Sequence, residues 1–115
     1  IQLKLIPPNA TFLKNSNLLI AADCVPFAYA DFHEKLLKNT ILAVGCPKLE
    51  DTKLDKNKLV EIIRTADIKS VNVVNMEVPC CFGLNHIVQE ALTLSGKTIP
   101  YTQTIMSITG EKIIK

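Results

Sequence analysis

The run Leu18-Leu19-Ile20-Ala21-Ala22 contains no polar residue. A short apolar run of this kind is the mark of a strand buried on both faces of a sheet. Ile41-Leu42-Ala43-Val44-Gly45 repeats the pattern, and Val71 to Met76 reads as a third strand. Gln103 to Thr109 supplies a final one. Ile1 to Ile6 alternates apolar and polar residues and stops at Pro7-Pro8, which predicts a short strand at a sheet edge.

Helical spacing fills the gaps. Asn9 to Asn17 has room for a brief helical turn. Pro26 stands where a helix can begin, and Ala28, Phe32 and Leu36 then recur at i, i+4 and i+8, predicting an amphipathic helix to Asn39. Asp55 to Ala66 places Leu59, Ile62, Ile63 and Ala66 on one face. Leu84, Ile87, Val88, Ala91 and Leu92 mark another helix, closed by Ser95-Gly96. Strands alternating with helices imply right-handed crossovers and a mostly parallel sheet. The expectation is one α/β domain over residues 1–115, a three-layer sandwich with a flavodoxin-like or Rossmann-like outline. Strand order does not follow from the sequence.

Composition narrows the function classes. Thirteen basic and eleven acidic residues give a formal charge of +2, too balanced for a dedicated nucleic-acid binder. No apolar run approaches the ~20 residues that span a bilayer, so no membrane partner is expected. The N-terminus lacks the basic head and long apolar stretch of a signal peptide. Reduced thiols and a cytoplasmic location follow as expectations. A chain starting at Ile1 rather than Met reads as a mature or excised part of something longer.

In open parallel sheets ligands bind outside the carboxyl ends of the strands. All four cysteines fall there: Cys24 after the first buried strand, Cys46 after the second, Cys80 and Cys81 after the third. Thiolates are soft ligands for zinc and iron–sulfur clusters. Cys24, Cys46, Cys80 and Cys81 are therefore candidate metal- or cofactor-binding residues, with Asp23, Glu77 and His86 close by as acceptors or a base. A second chemistry comes from Pro79-Cys80-Cys81-Phe82-Gly83. This segment leads into a helix, whose positive N-terminal end favours a thiolate, so Cys80 or Cys81 is a candidate redox nucleophile. In the third reading the cysteines pack as small hydrophobes in a non-catalytic interaction domain. Neither G-x-G-x-x-G, a phosphate loop nor G-x-S-x-G is present, which leaves dinucleotide binding and serine hydrolysis without support.

Three segments carry a family resemblance: Ala21 to His33 with Asp23-Cys24-Val25-Pro26, then Gly45-Cys46-Pro47-Lys48-Leu49, then Met76-Glu77-Val78-Pro79-Cys80-Cys81-Phe82-Gly83-Leu84. They resemble the C-terminal domain of bacterial 4Fe-4S ferredoxin-like iron–sulfur proteins of anaerobes. The resemblance implies iron–sulfur electron transport, with an upstream ferredoxin module or another redox protein as partner. It places 4Fe-4S clusters in that upstream module, because the motif C-x-x-C-x-x-C-x-x-x-C-P is absent from this chain. An iron–sulfur cluster or zinc in the present domain is the accompanying expectation.

Overall fold

A computed structural model describes residues 1–48 and 51–114. Four parallel strands, β1 (Asn17–Ala22), β2 (Ile41–Gly45), β3 (Ser70–Met76) and β4 (Tyr101–Met106), form one sheet with a short antiparallel strand β5 (Lys112–Ile114). The order is β2-β1-β3-β4-β5. The fold is α/β with a mostly parallel sheet, as the alternation of strand and helix patterns implies.

Three helices link the strands: α1 (Val25–Ala28), α2 (Thr52–Thr65) and α3 (Phe82–Ser95). From β1 the chain steps one way to β2, then returns across β1 to β3 and on to β4. With right-handed crossovers this puts α2 and α3 together on one face and the β1–β2 connection on the other. Accordingly α2 and α3 pack against each other. Leu59, Ile62 and Ile63 of α2 and Leu84, Ile87, Val88 and Ala91 of α3 are buried. Between them and the opposite layer lie Leu18 to Ala22, all buried, with Val71, Val73 and Val74 of β3.

Several expectations need correction. Residues 1–6 do not form an edge strand. Gln2 makes a single parallel bridge to Val44, and Leu3–Leu5 form a 3-10 turn. Such a turn eclipses i and i+3, which brings Leu3 and Ile6 to one side, both fully buried.

The helix expected from Pro26 to Asn39 is broken. One turn of α1 ends at Tyr29, which is extended (φ −102°, ψ 111°), and a π-type turn covers Phe32–Leu37. The carbonyl of Ala28, which a continuing helix would use, faces Gly110 at the turn before β5. Phe32 N–H donates to Tyr29 O instead. Phe32 and Leu36 nevertheless reach the core, as their spacing predicts.

Two helices start earlier than their apolar periodicity suggests. Asp51 caps α2, its Oδ1 accepting from the N–H groups of Lys53 and Leu54 at 3.0 and 3.3 Å. A 3-10 turn at Pro79–Cys81 runs directly into α3. The last long strand is 101–106 rather than 103–109. Residues 107–110 form a turn closed by Gly110 N–H to Ser107 O at 3.0 Å, after which β5 returns antiparallel.

Candidate functional site

The strand order places the switch point between β1 and β3, because the chain leaves β1 in one direction and reaches β3 from the other. Ala22 and Gly45 end their strands in register. The Asp23 N–H donates to Gly45 O at 3.2 Å, carrying that ladder one residue further, so Cys24 and Cys46 leave the same edge. On the other side of β1, Glu77 N–H donates to Met106 O at 2.9 Å. The chain then turns through Pro79 into α3. Gly83 brings the two loops together, since a Cβ there would lie 3.3 Å from Pro47 Cβ.

All four cysteines lie along this rim. Cys81 is buried, Cys46 is half-buried, and Cys24 and Cys80 are exposed; all four are thiols. Burial pushes the Cys81 thiol up, a backbone hydrogen bond with Met76 pulls it back, and the charges of Cys80, Cys24 and Cys46 push it up again. Cys81 is thus a buried thiol held protonated on a rim to which three strand ends contribute cysteines. A buried thiol held protonated is a poor nucleophile. Accessible thiols are those of Cys80 and Cys24.

The expected flanking groups do not all join them. Asp23 is half-buried beside Cys24, and Glu77 is exposed. His86 lies one turn along α3, where its Nε2 is 3.4 Å from Glu90 Oε1. It lines a groove between α2 and α3 rather than the thiol rim. Leu49, in the second motif segment, lies outside the described residues.

Sequence reasoning missed three apolar side chains around the rim. Phe27 follows Cys24 by three residues and is 92% exposed, Phe82 follows Cys81, and Ile108 sits in the turn that reaches Ala28. Phe27 lies just before the break after α1 and Ile108 in the 107–110 turn, and neither feature is encoded in a helical or strand period.

The Rossmann-like domain family model matches residues 10–115. The chain belongs to this family. A relative from Archaeoglobus fulgidus, described as an uncharacterized protein, is 32% identical over 110 residues, covering 96% of this chain and 77% of that protein. No solved structure matches.

Membership in the Rossmann-like domain family corrects the expected resemblance to 4Fe-4S ferredoxin-like proteins of anaerobes. Neither the matched family nor the archaeal relative is a ferredoxin or an iron–sulfur protein by description. The reading as a metal-binding protein of electron transport falls with it. Among the described residues no three His, Cys, Asp or Glu side chains form a group that could hold a metal ion. Adjacent Cys81 and Cys80 differ in burial, the first buried and the second exposed.

Many Rossmann-like domains hold a dinucleotide, but the residues here do not fit one. Its pyrophosphate needs glycines in the turn after β1. This chain has Asp23-Cys24-Val25-Pro26 there, with Val25 fully buried and a helix of only four residues. Among the described residues no helix is long and apolar enough to cross a membrane.

Proposed function

We propose that this Rossmann-like domain is a thiol-redox catalyst, with Cys80 as the attacking thiol and Cys24 as the resolving thiol. The observation that carries the reading is the placement of two exposed thiols, Cys24 and Cys80, after the neighbouring strands β1 and β3 that flank the switch point. Cys80 is exposed, and its strand β3 is the hydrogen-bonded neighbour of β1, which delivers the equally exposed Cys24. Cys46 follows β2, one strand further away.

The chemistry balances as ordinary thiol–disulfide exchange. The Cys80 thiolate attacks one sulfur of a substrate disulfide; that S–S bond breaks and the leaving thiolate takes a proton from water. The Cys24 thiolate then attacks Sγ of Cys80 and releases the second substrate thiol. The substrate gains two electrons and the protein pair loses two. A low-molecular-weight thiol resets the pair by the same two steps.

Bis(2-hydroxyethyl) disulfide tests this. The reduced protein is expected to release two equivalents of mercaptoethanol. Cys80→Ser should abolish the release, and Cys24→Ser should stop it after one equivalent. Uniform slow release, unchanged by Cys80→Ser, contradicts the reading.

A second reading has one observation behind it. Phe27, Phe82 and Ile108 are exposed on the loops and helix start at the strand ends, and a contiguous exposed apolar patch marks an interaction site. In a non-catalytic interaction domain the thiols are structural, and replacing Cys80 would change partner binding or stability without affecting any disulfide chemistry.

A further inference from the structure

Beside the thiol rim runs a groove between α2 and α3. Its inner part encloses about 330 Å3 and is lined by Thr52, Lys53, Lys56, Gly83, His86 and Glu90, among others. Lys56, His86 and Glu90 also line its outward continuation. Gly83 joins groove and rim, since it lies two residues from Cys81 and against Pro47 of the Cys46 loop.

Among the described residues, cations outnumber carboxylates in the groove. Lys53 and Lys56 are cations. Among the described lining residues the one carboxylate is Glu90, whose Oε1 lies 3.4 Å from His86 Nε2. Lys56 is half-buried and makes no ion pair among the described residues. A partly desolvated cation of this kind raises the local concentration of anions.

Resting on the thiol-redox reading above, we infer that the groove selects the substrate of that reaction: a low-molecular-weight disulfide with an anionic arm. Lys56 and Lys53 hold the carboxylate or similar group, and the disulfide extends past Gly83 to Cys80. No atom of the groove takes part in the exchange. Lys53 and Lys56 are positioning residues.

The test compares three aliphatic disulfides on the intact chain: dianionic 3,3′-dithiodipropionate, neutral bis(2-hydroxyethyl) disulfide and dicationic cystamine. For each, the rate of Cys80 modification is measured in the unaltered protein and in Lys53→Gln/Lys56→Gln. Taking the ratio within each disulfide cancels its leaving-group reactivity. The anionic rate should fall about fivefold or more, the neutral rate should stay unchanged, and the cationic rate should rise. Raising salt to about 0.5 M should reproduce the loss for the anionic probe in the unaltered protein. Equal ratios for all three disulfides would overturn the inference while leaving Cys80 as the nucleophile. Persistence of the reaction in Cys80→Ser would overturn the thiol-redox reading itself.

Discussion

Gly83, in the first turn of α3, stands against Pro47 so closely that a Cβ added to it would lie 3.3 Å from Pro47 Cβ. This contact holds the loop after β2 against the start of the helix after β3, and with it the cysteines of both. Gly83→Ala asks that loop to give by a few tenths of an ångström, while the helix gains up to about 1 kcal/mol in propensity. Its stability should therefore stay near that of the unaltered protein. Gly83→Val gains less propensity and adds two methyl groups to the crowded side. It should lower the melting temperature and speed alkylation of Cys46 by iodoacetamide, read by mass spectrometry; unchanged Cys46 labelling would show that the contact does not set the rim.

Two glycines share a left-handed backbone but differ in surroundings. Gly96 (φ 74°) has open space where a Cβ would go, whereas Gly110 (φ 89°) would drive one into the carbonyl oxygen of Ala28. Gly96→Ala should cost about 1 kcal/mol, the strain of the conformation alone. Gly110→Ala adds a backbone clash and should cost well over about 2 kcal/mol. Denaturant unfolding of the two variants side by side measures the difference.

Much of this architecture is legible in the chain. The apolar runs ending at Ala22, Gly45 and Met76 locate three strands, and α2 and α3 follow from their buried stripes. The placement of all four cysteines past the carboxyl ends of those strands follows from the same runs. Strand order was not legible, because a run buried on both faces looks alike at every central position. The break after Ala28 was not legible either. There the Ala28 carbonyl lies against Gly110, more than 80 positions along the chain. The different burial of Cys80 and Cys81 falls within the 3-10 turn at Pro79–Cys81, which spacing alone does not reveal. The motif likeness to ferredoxin-like proteins led furthest astray, since it rested on those loops, and the family match over residues 10–115 gives a Rossmann-like domain instead.

Asn75 is fully buried at the end of β3. Its Nδ2 donates to Met76 O at 2.9 Å and its Oδ1 accepts from Gln103 Nε2 at 3.1 Å. Replacing either partner strands a polar group in or near the core. Asn75→Ala should cost about 1–3 kcal/mol, and Gln103→Ala less, because Gln103 is only half-buried. A double-mutant cycle should show coupling of about 0.5–1.5 kcal/mol; strict additivity would mean that the pair contributes nothing jointly.

Alkaline pH should destabilise the fold in two stages. Burial raises the Cys81 thiol above its ordinary 9.0 and pushes the Tyr101 phenol from 10.0 up to about 12. A raised folded-state value means that the native state holds its proton longer than the unfolded chain. That stability is fully present below the ordinary values and is lost as pH climbs through the raised ones. Unfolding free energy should therefore fall from about pH 9 to 12. The Tyr101 hydroxyl has no hydrogen-bond partner among the described residues, so Tyr101→Phe should be near neutral at pH 7 and should flatten the upper part of the fall. An identical alkaline profile in Tyr101→Phe would contradict this assignment.

The most direct test of the thiol cluster is the fate of each cysteine after one equivalent of bis(2-hydroxyethyl) disulfide, mapped by peptide mass spectrometry under non-reducing conditions. A Cys24–Cys80 disulfide, with Cys81 unmodified, is the predicted product. Stable mercaptoethanol adducts shared between Cys24 and Cys80, with no bond between them, would contradict a catalytic thiol pair at the switch point.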